Sequence, residues 1–402
     1  MPRKRLFPPR RDATSESRLR HKGRQRVCHD TVNGTLGVQR IRWWSKQGGC
    51  DETIDRVLGI VADHVSTGVR QMCCRVAIAQ GGFKRASQHL EHLAQIRISP
   101  ERLRQIAERE GQRVLTAQSK GQTAVSLTLE QAKVSADGPT RIYVGADGVK
   151  VPMVTAAEKA KRRARRGPKR PGSRRRQMHH GADNAYKEFK IATFYEQSNE
   201  HRQVLVTAGD HEQIGRMIRR EAKRLGFNRF DQKLGLGDGA DWILRQLSIN
   251  LPTLNQFILD FYHFSEHVWS ASNACWGLGS EAARTLAEDL LHKARHEGPA
   301  AVLLALAEQC RKYRHGHRRQ ALQELTAYIV KRASHCEYPQ YRSQGWQIGS
   351  GPTEAMCKVL TYRLKGAGMR WDRQGAEPMM ALIALEQSGT WVNYWNGLTI
   401  AA

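Results

Sequence analysis

The sequence has no long apolar segment and no cysteine motif, and each absence argues against a class of protein. Its longest apolar run, residues 300–307, is far too short to cross a bilayer. The basic N-terminus MPRKRLFPPRRD is followed by no apolar segment, so a secretory signal is not expected. The eight cysteines form no Cys-x-x-Cys pair and lack the spacing of a zinc site. We therefore expect a protein of the reducing cytoplasm, without disulfides and without a membrane partner.

Acidic residues are scarce relative to basic ones. The 402 residues include 65 Lys and Arg but only 38 Asp and Glu, which gives a formal net charge of +27. A compact domain with this charge repels itself unless a polyanion neutralises it. The balance favours a nucleic acid as the partner over the role of a ribosome-like or membrane-surface basic protein. With 40% hydrophobic residues, the chain can form one large domain and one or two smaller ones.

The N-terminal third is basic and mainly helical in pattern. Residues 1–32 are rich in Arg and Lys and poor in apolar residues, which predicts a flexible arm that lies on DNA or stays in solvent. An Asn-Gly turn signal with alternating side chains predicts a short hairpin at residues 33–45. We expect residues 33–135 to form a mainly helical DNA-binding region.

A helix-turn-helix-like pair is predicted within this region, at residues 82–113. The first helix ends near the stretch AQIRIS, and Ser99 followed by Pro100 makes a favourable start for the second. A basic second helix after a tight break is typical of DNA-reading helix pairs, although two packed helices give the same periodicity. The candidate DNA contacts on this second helix are Arg102, Arg104 and Arg109.

A second basic segment, residues 159–176, follows the first predicted strand of the next region. Its density of Arg and Lys, with Pro and Gly, cannot bury a core, so it predicts an exposed loop that contacts phosphates without reading bases. The candidate DNA contacts in it are Arg162, Arg163, Arg165, Arg166, Lys169, Arg170, Arg174, Arg175 and Arg176.

An α/β pattern begins near residue 139. Residues 139–270 predict five strands, residues 278–340 predict three helices, and residues 345–395 predict two more helices. Asp147 ends the first predicted strand, Asp238 ends the fourth, and Glu354 lies near the start of a late helix. Neighbouring strands lie about 4.8 Å apart, so carboxylates at the same ends of two strands can share one metal ion.

Five short blocks resemble the RNase H-like DDE transposases, in particular the Kra-type family of bacterial insertion sequences. The blocks are ADGVKVP, GDGADWI, DFYHFSEH, IGSGPTEAMCK and RLKGAGMRW, and they cover most of residues 140–395. The resemblance implies an RNase H-like mixed five-stranded sheet with a helical insertion at 278–340. It also implies that Asp147, Asp238 and Glu354 are catalytic and hold two Mg²⁺ ions, with Mn²⁺ as a possible substitute.

The function that this resemblance implies is DNA transposition. Metal-dependent cleavage by water would free the transposon ends, and the 3′-hydroxyl ends would then attack target DNA. The partners would be double-stranded DNA and further copies of the chain, in the nucleoid of a bacterial cytoplasm. The alternatives are an RNase H-like nuclease or resolvase without strand transfer, and a non-catalytic DNA-binding protein whose acidic residues stabilise turns.

The acidic residues near Asp238 need separate interpretations. Asp238 directly follows a strand, whereas Asp241 precedes a helical pattern and is interpreted as an acid at the helix N-terminus. As an alternative to catalysis, Asp238 could be a turn residue that caps the same helix. Asp260 also ends a strand, and the resemblance implies that Asp260 and His263 form a supporting pair; a satisfied core histidine is the alternative for His263.

Periodicity assigns two faces to the helix that begins after Ser350. One is a polar stripe of Glu354, Lys358, Thr361 and Lys365, and the other is a packing face of Ala355, Val359 and Tyr362. Lys358 and Lys365 are therefore candidate DNA contacts beside Glu354. The alternative is a solvated helix in which Glu354 and Lys358 form an i,i+4 pair.

Overall fold

The computed structural model describes residues 20–44, 64–79, 81–165, 185–313, 315–366 and 369–400. Contacts divide the chain into two compact units, Met1–Glu110 with Val392–Ala402 and Gly111–Trp391. The first 19 residues of the predicted arm and the candidate DNA contacts from Arg166 to Arg176 lie outside the described residues. None of the described helices is long and apolar enough to span a bilayer.

The first unit contains an antiparallel hairpin of strands β1 (Arg20–Thr31) and β2 (Gly34–Trp44). Gly34 has a φ of 102°, a conformation that glycine adopts without a steric penalty and that closes the turn. The predicted hairpin is confirmed, but its first strand lies earlier than expected. The prediction of a flexible arm up to residue 32 is wrong from Arg20 onwards, because main-chain pairing with β2 orders this basic segment.

Two helices, α1 (Thr67–Ala79) and α2 (Phe83–Ala94), lead to a third, α3 (Pro100–Lys120). Gln95 ends α2 with a left-handed φ of 56°, and the Arg102 N–H donates to Ser99 Oγ at 3.3 Å to cap α3. The predicted helix pair is therefore confirmed, with a second helix that continues to Lys120. The description of residues 33–135 as helical is corrected at β2, where alternating side chains form a strand.

The second unit is built on a five-stranded mixed sheet. Its strands are β3 (Arg141–Met153), β4 (Ala185–Tyr195), β5 (Arg202–Thr207), β6 (Gln232–Gly237) and β7 (Gln256–Leu259). Their order in space is β5-β4-β3-β6-β7. Strand β4 runs antiparallel to β3 and β5, whereas β3, β6 and β7 are parallel. The five predicted strands are thus all present, and β3 lies at the centre.

A short helix, α4 (Ala156–Arg165), follows β3 where the sequence predicted an exposed loop. Alanine, lysine and arginine are strong helix formers even without an apolar face, and Thr155 caps the helix by accepting from the Glu158 N–H at 3.2 Å. The loop prediction is therefore wrong for residues 159–165. Within this helix Lys159 forms an ion pair with Asp372.

Alternate residues of β3 face two different layers of the second unit. Ile142, Val144 and Ala146 belong to a core shared with helices α5 (His211–Leu225) and α6 (Asp241–Asn250). The residues between them face the opposite side of the sheet, because successive strand side chains point to opposite faces. This second side is the one that carries the acidic residues of interest.

A helical insertion follows β7, but among the described residues it has five α-helices from Phe261 to Ser343 rather than the three predicted for residues 278–340. It comprises α7 (Phe261–Trp276), α8 (Glu281–His296), α9 (Pro299–Lys312), α10 (His317–Arg332) and α11 (Tyr338–Ser343). Apolar residues at helical spacing, such as Leu286, Leu290 and Ile329, form one core with Leu236 and Ile258 of the sheet. The insertion is thereby packed on the side of the sheet opposite α5 and α6.

Three helices complete the chain: α12 (Gly351–Lys365), α13 (Arg373–Gln387) and α14 (Trp391–Ile400). Helix α12 packs on β3 and β4, and α13 packs on β5. Almost every residue of α13 from Gly375 to Leu385 is buried, which explains its nearly uninterrupted apolar sequence. The two helices predicted for residues 345–395 are confirmed.

Candidate active site

Asp147 and Asp238 occupy equivalent positions next to two adjacent parallel strands. In the ladder between β3 and β6, Gly145 pairs with Leu236. Each aspartate lies two residues further along, so the two side chains share one register position and one face of the sheet. Asp147 does not end its strand as predicted, because β3 continues to Met153 against β4. It lies instead just beyond the end of the β3–β6 pairing.

The Asp147 carboxylate is half-buried and held by two donors. The Gly148 N–H donates to Oδ1 at 2.6 Å, and the Cys357 thiol of α12 donates to Oδ2 at 3.2 Å. Burial raises the pKa of Asp147, and the negative charges of Asp238 and Glu188 raise it further, against the two hydrogen bonds. The raised pKa identifies a carboxylate whose charge is costly in the folded protein.

Asp238 and Asp241 have different surroundings, although only two residues separate them. Asp238 Oδ1 accepts from the Ala240 N–H at 2.9 Å, and Gly239 allows this tight turn with a φ of 72°. Asp241 lies in the first turn of α6 and forms an exposed ion pair with Lys331. That ion pair lowers the pKa of Asp241. Of the two, Asp238 is the residue beside Asp147.

Helix α12 approaches β3 closely because Gly145 has no side chain. A Cβ atom at Gly145 would lie 1.9 Å from Thr353 Oγ1, which is impossible without movement. Thr353 is buried, and its hydroxyl lies 2.8 Å from that of Thr193 on β4. Thr353 and Cys357 are one helical turn apart, and they contact β3 at Gly145 and Asp147 respectively. This packing brings the first turn of α12 to the aspartate pair.

Glu354 lies in that first turn, on the exposed side of α12. Its Oε1 accepts from Ser350 Oγ at 3.4 Å, and its charge contributes to the raised pKa of Cys357, for which burial is the main cause. The predicted packing face of the helix is wrong, since Val359 and Tyr362 are 38% and 80% exposed. The buried stripe instead mixes polar and apolar residues, among them Thr353, Met356, Cys357, Leu360, Thr361 and Leu364. Thr361 is therefore not on the exposed polar stripe where it was predicted.

Asp260 joins the end of β7 to the start of α12. Its buried carboxylate caps α7 by accepting from the Tyr262 and His263 N–H groups at 2.6 and 2.9 Å. It also accepts from the N–H of Ser350, the residue before α12. The predicted partner, the His263 imidazole, instead lies 3.4 Å from Glu266, so only the main chain of His263 contacts Asp260.

The C-terminal end of α10 contacts the Asp238 loop. Arg332 Nη2 donates to the Gly239 carbonyl at 3.4 Å, and its guanidinium carbon lies 4.3 Å from the centre of the Tyr328 ring. Burial is the main cause of the raised pKa of Tyr328, and the charge of Asp238 contributes. The helical insertion therefore touches the same loop that carries the second aspartate.

Cations are absent from the three predicted carboxylates. Within the described part of the chain, no Lys, Arg or His pairs with Asp147, Asp238 or Glu354, although the net charge is +27. Among the same residues, no three acidic, cysteine or histidine side chains lie close enough together to enclose a metal ion. The structure thus brings Asp147 and Asp238 together, and it places Glu354 one helical turn before Cys357, which contacts Asp147.

Comparison with known families accounts for almost the whole chain. The model of the uncharacterised protein family UPF0236 matches residues 10–395. The chain belongs to this family. The search of curated proteins finds no match. In this UPF0236 protein, the matched range includes both the first unit's hairpin and the complete mixed sheet with α12.

Two of the predicted DNA contacts of the UPF0236 chain form ion pairs with acidic residues, and the others that the structure describes lie on α3, α4 and α12. Arg102 pairs with Asp30, and Arg104 pairs with Glu101 and Glu108 of its own helix. Arg109 also lies on α3, and Arg162, Arg163 and Arg165 lie on α4. On α12, Lys358 and Lys365 are exposed.

Cys357 was not predicted as part of this site, and Asp260 was predicted with a different partner. Cys357 was recognised only as part of a block, yet its thiol contacts Asp147 across 210 positions of the chain. Its position three residues after Glu354 was the available signal, because i and i+3 share a helix side. Asp260 was expected to act through an imidazole, whereas its contacts are all main-chain N–H groups.

Proposed function

We propose that this UPF0236 protein is a DNA transposase that cleaves transposon ends and joins their 3′-hydroxyl ends to target DNA. The observation that carries the proposal is the pair of Asp147 and Asp238 at one register position of adjacent parallel strands. Glu354 enters from α12, which packs on the same side of β3. These are the three residues that the resemblance to transposases implies are catalytic.

The strand arrangement supports an RNase H-like fold. In chain order the strands of the sheet are arranged 3-2-1-4-5, with only the second antiparallel to its neighbours. The first and fourth strands are then central neighbours, as the resemblance requires. The helical insertion between β7 and α12 agrees with the interrupted catalytic domain that the sequence predicts.

The donor set fits Mg²⁺ in its chemistry. Magnesium prefers oxygen ligands, keeps several waters and needs only one or two carboxylates together with substrate phosphate. Asp147 and Asp238 provide adjacent carboxylates that pair with no cation of the described residues, and the raised pKa of Asp147 indicates a charge that a divalent ion would stabilise. When bound, the ions would supply Lewis acidity for an in-line displacement at phosphorus.

The chain's own residues have distinct roles in this proposal. Asp147 and Asp238 hold ions at the sheet, and Glu354 completes the donor set from α12. The thiol of Cys357 and the N–H of Gly148 orient the Asp147 carboxylate through one hydrogen bond to each oxygen. Asp260 fixes the start of α12 by binding the Ser350 N–H, and so sets where Glu354 stands.

The test is single-turnover cleavage of a duplex that carries the terminal repeats flanking the gene. Asp147→Ala, Asp238→Ala and Glu354→Ala should each reduce Mg²⁺-dependent cleavage at least about a thousandfold. DNA binding in each should be retained or slightly tighter, because a negative charge near phosphate is removed. Asp241→Ala is the matched control, and it should cleave normally since Asp241 contacts only Lys331. Normal cleavage by all three variants would exclude the proposed centre.

A strand-transfer assay separates transposition from hydrolysis alone. Incubation of pre-cleaved ends with a supercoiled target should produce joined molecules if the protein is a transposase. Cleavage without joining would identify an RNase H-like nuclease instead. Metal-independent binding without cleavage would identify a DNA-binding protein whose acidic residues serve only the fold.

A further inference from the structure

Tyr262 presents an unusually exposed aromatic ring beside the candidate active site. It is the second residue of α7, and it is 71% exposed. Its ring lies against Gly349, where an added Cβ would be 3.3 Å from Tyr262 Cε2. Gly349 therefore leaves room for the ring at the point where the chain enters α12. The Tyr262 ring therefore packs next to Gly349 and remains exposed to solvent.

The position of Tyr262 relative to Glu354 is fixed by hydrogen bonds. The Asp260 carboxylate binds the N–H groups of both Tyr262 and Ser350, and the Phe261 N–H donates to the Ile348 carbonyl at 2.8 Å. Ser350 in turn contacts Glu354 through its hydroxyl. The start of α7 and the start of α12 are thus joined, with Tyr262 next to the first turn that carries Glu354.

The exposed side of α12 carries a second exposed tyrosine and two lysines. Tyr362 is 80% exposed and lies eight residues after Glu354, about 12 Å further along the helix at 1.5 Å per residue. Lys358 and Lys365 are exposed on the same helix, and within the described residues neither forms an ion pair with a carboxylate. Large aromatic rings separated by unpaired lysines are the composition of a surface that binds an unpaired nucleic acid strand.

We propose that Tyr262 and Tyr362 stack on unpaired bases of a DNA strand that lies along α12. The inference rests on the proposed function, which brings a DNA strand to Glu354. Lys358 and Lys365 would contact its phosphates, and the net charge of +27 favours a polyanion. A fully paired duplex cannot use the rings in this way, because its base faces are covered by neighbouring pairs. The preferred ligand is therefore a duplex end with an unpaired strand.

The experiment is equilibrium binding of the full-length protein to two labelled DNA probes in EDTA, where no cleavage occurs. One probe is a blunt duplex, and the other is the same duplex with an unpaired 3′ extension. We expect the wild type to bind the extended probe about tenfold more tightly. Tyr262→Ala and Tyr362→Ala should each reduce this preference severalfold, whereas Tyr262→Phe should keep it because the ring remains.

Two controls distinguish stacking from charge. Tyr186→Ala removes another exposed tyrosine, on β4, and should bind both probes like the wild type. Lys358→Ala should weaken both probes and reduce the salt dependence of binding, whereas the tyrosine variants should leave the salt slope unchanged. A polyglutamate competitor should displace the extended probe poorly, because it offers charge without bases.

The outcomes separate this inference from the proposed function. Equal wild-type affinity for the two probes, or an unchanged preference in both Tyr→Ala variants, would overturn the stacking role and leave the proposed cleavage site untouched. Displacement by polyglutamate as effective as by unlabelled DNA would also overturn it, in favour of an acidic protein partner. Failure of the wild type to bind either probe would instead contradict the proposed function itself.

Discussion

Asp147 on β3 and Asp238 directly after the adjacent parallel strand β6 each lie two residues beyond the paired Gly145 and Leu236. Two like charges at this spacing oppose each other, and the pKa of Asp147 is raised by burial and by Asp238. No cation of the described chain relieves this repulsion. In the proposed function, divalent ions bound by the two carboxylates would compensate this charge.

Replacement of Asp147 by Asn should stabilise the protein at neutral pH. The pKa of Asp147 in the folded protein lies above its ordinary value of 3.8, so ionisation favours the unfolded chain. This cost is absent well below the ordinary pKa of 3.8, where both states are protonated. It grows as pH rises from that value to the folded pKa, and it is complete above the folded pKa. The thermal unfolding midpoint of Asp147→Asn should therefore be higher than that of the wild type at pH 7. At low pH the two midpoints should be equal.

Asp231→Asn is the control with the opposite sign. Asp231 accepts from the Thr140 N–H and hydroxyl, and these hydrogen bonds lower its pKa. Its carboxylate favours the folded state above the ordinary pKa, so the Asn variant should be less stable at pH 7 and equal to wild type at low pH. Destabilisation by Asp147→Asn at pH 7 would contradict the buried, uncompensated charge.

Gly145→Ala should separate α12 from the sheet. The new Cβ would overlap Thr353 Oγ1, and such overpacking costs about 1–3 kcal/mol of unfolding free energy. The cleavage rate should fall by more than the loss of folded protein accounts for, because Cys357 and Glu354 move with the helix. The double variant Gly145→Ala with Thr353→Ala should recover part of both, since the nearest remaining contact is then 3.0 Å. Chemical denaturation and the cleavage assay measure the two effects.

Asp260→Ala should lower the unfolding free energy by about 2–4 kcal/mol, because the N–H groups of Tyr262, His263 and Ser350 lose a charged, buried acceptor. Cleavage measured well below the unfolding temperature should also decrease, since the start of α12 is no longer held. His263→Ala should lower the unfolding free energy and cleavage much less, because the His263 ring is partly exposed and contacts Glu266. A larger effect of His263→Ala would support the imidazole role that the resemblance implied.

Arg332→Ala should weaken cleavage about tenfold or more, because the Gly239 carbonyl loses its contact and the Asp238 loop is less well ordered. Lys331→Ala provides the neighbouring control. It breaks only the exposed pair with Asp241, so cleavage and the unfolding temperature should stay close to those of the wild type. Equal cleavage by both variants would show that the insertion does not support the Asp238 loop.

Several elements of this fold follow from local sequence. The strand KLGLG, the Asp210 cap of α5 and the break at Gln95 were predictable because each depends on residues within one or two turns. Helix α4 was not predicted, since its basic composition resembles a solvated loop although alanine and arginine favour a helix. The packing face of α12 was assigned to the wrong side, because its buried stripe contains threonine and cysteine rather than a clear apolar row.

By itself, the sequence determined most of the elements, and that Asp238 follows a strand and Glu354 lies near a helix start, because periodicity, caps and turns are local. Only the tertiary structure decided that β3 and β6 are neighbours in a register that places each aspartate two residues beyond the paired Gly145 and Leu236. It also decided that the Cys357 thiol reaches Asp147 and that one Asp260 carboxylate holds both α7 and α12. These contacts join residues 90 or more positions apart, and their geometry depends on how the helices pack on the sheet rather than on any local pattern.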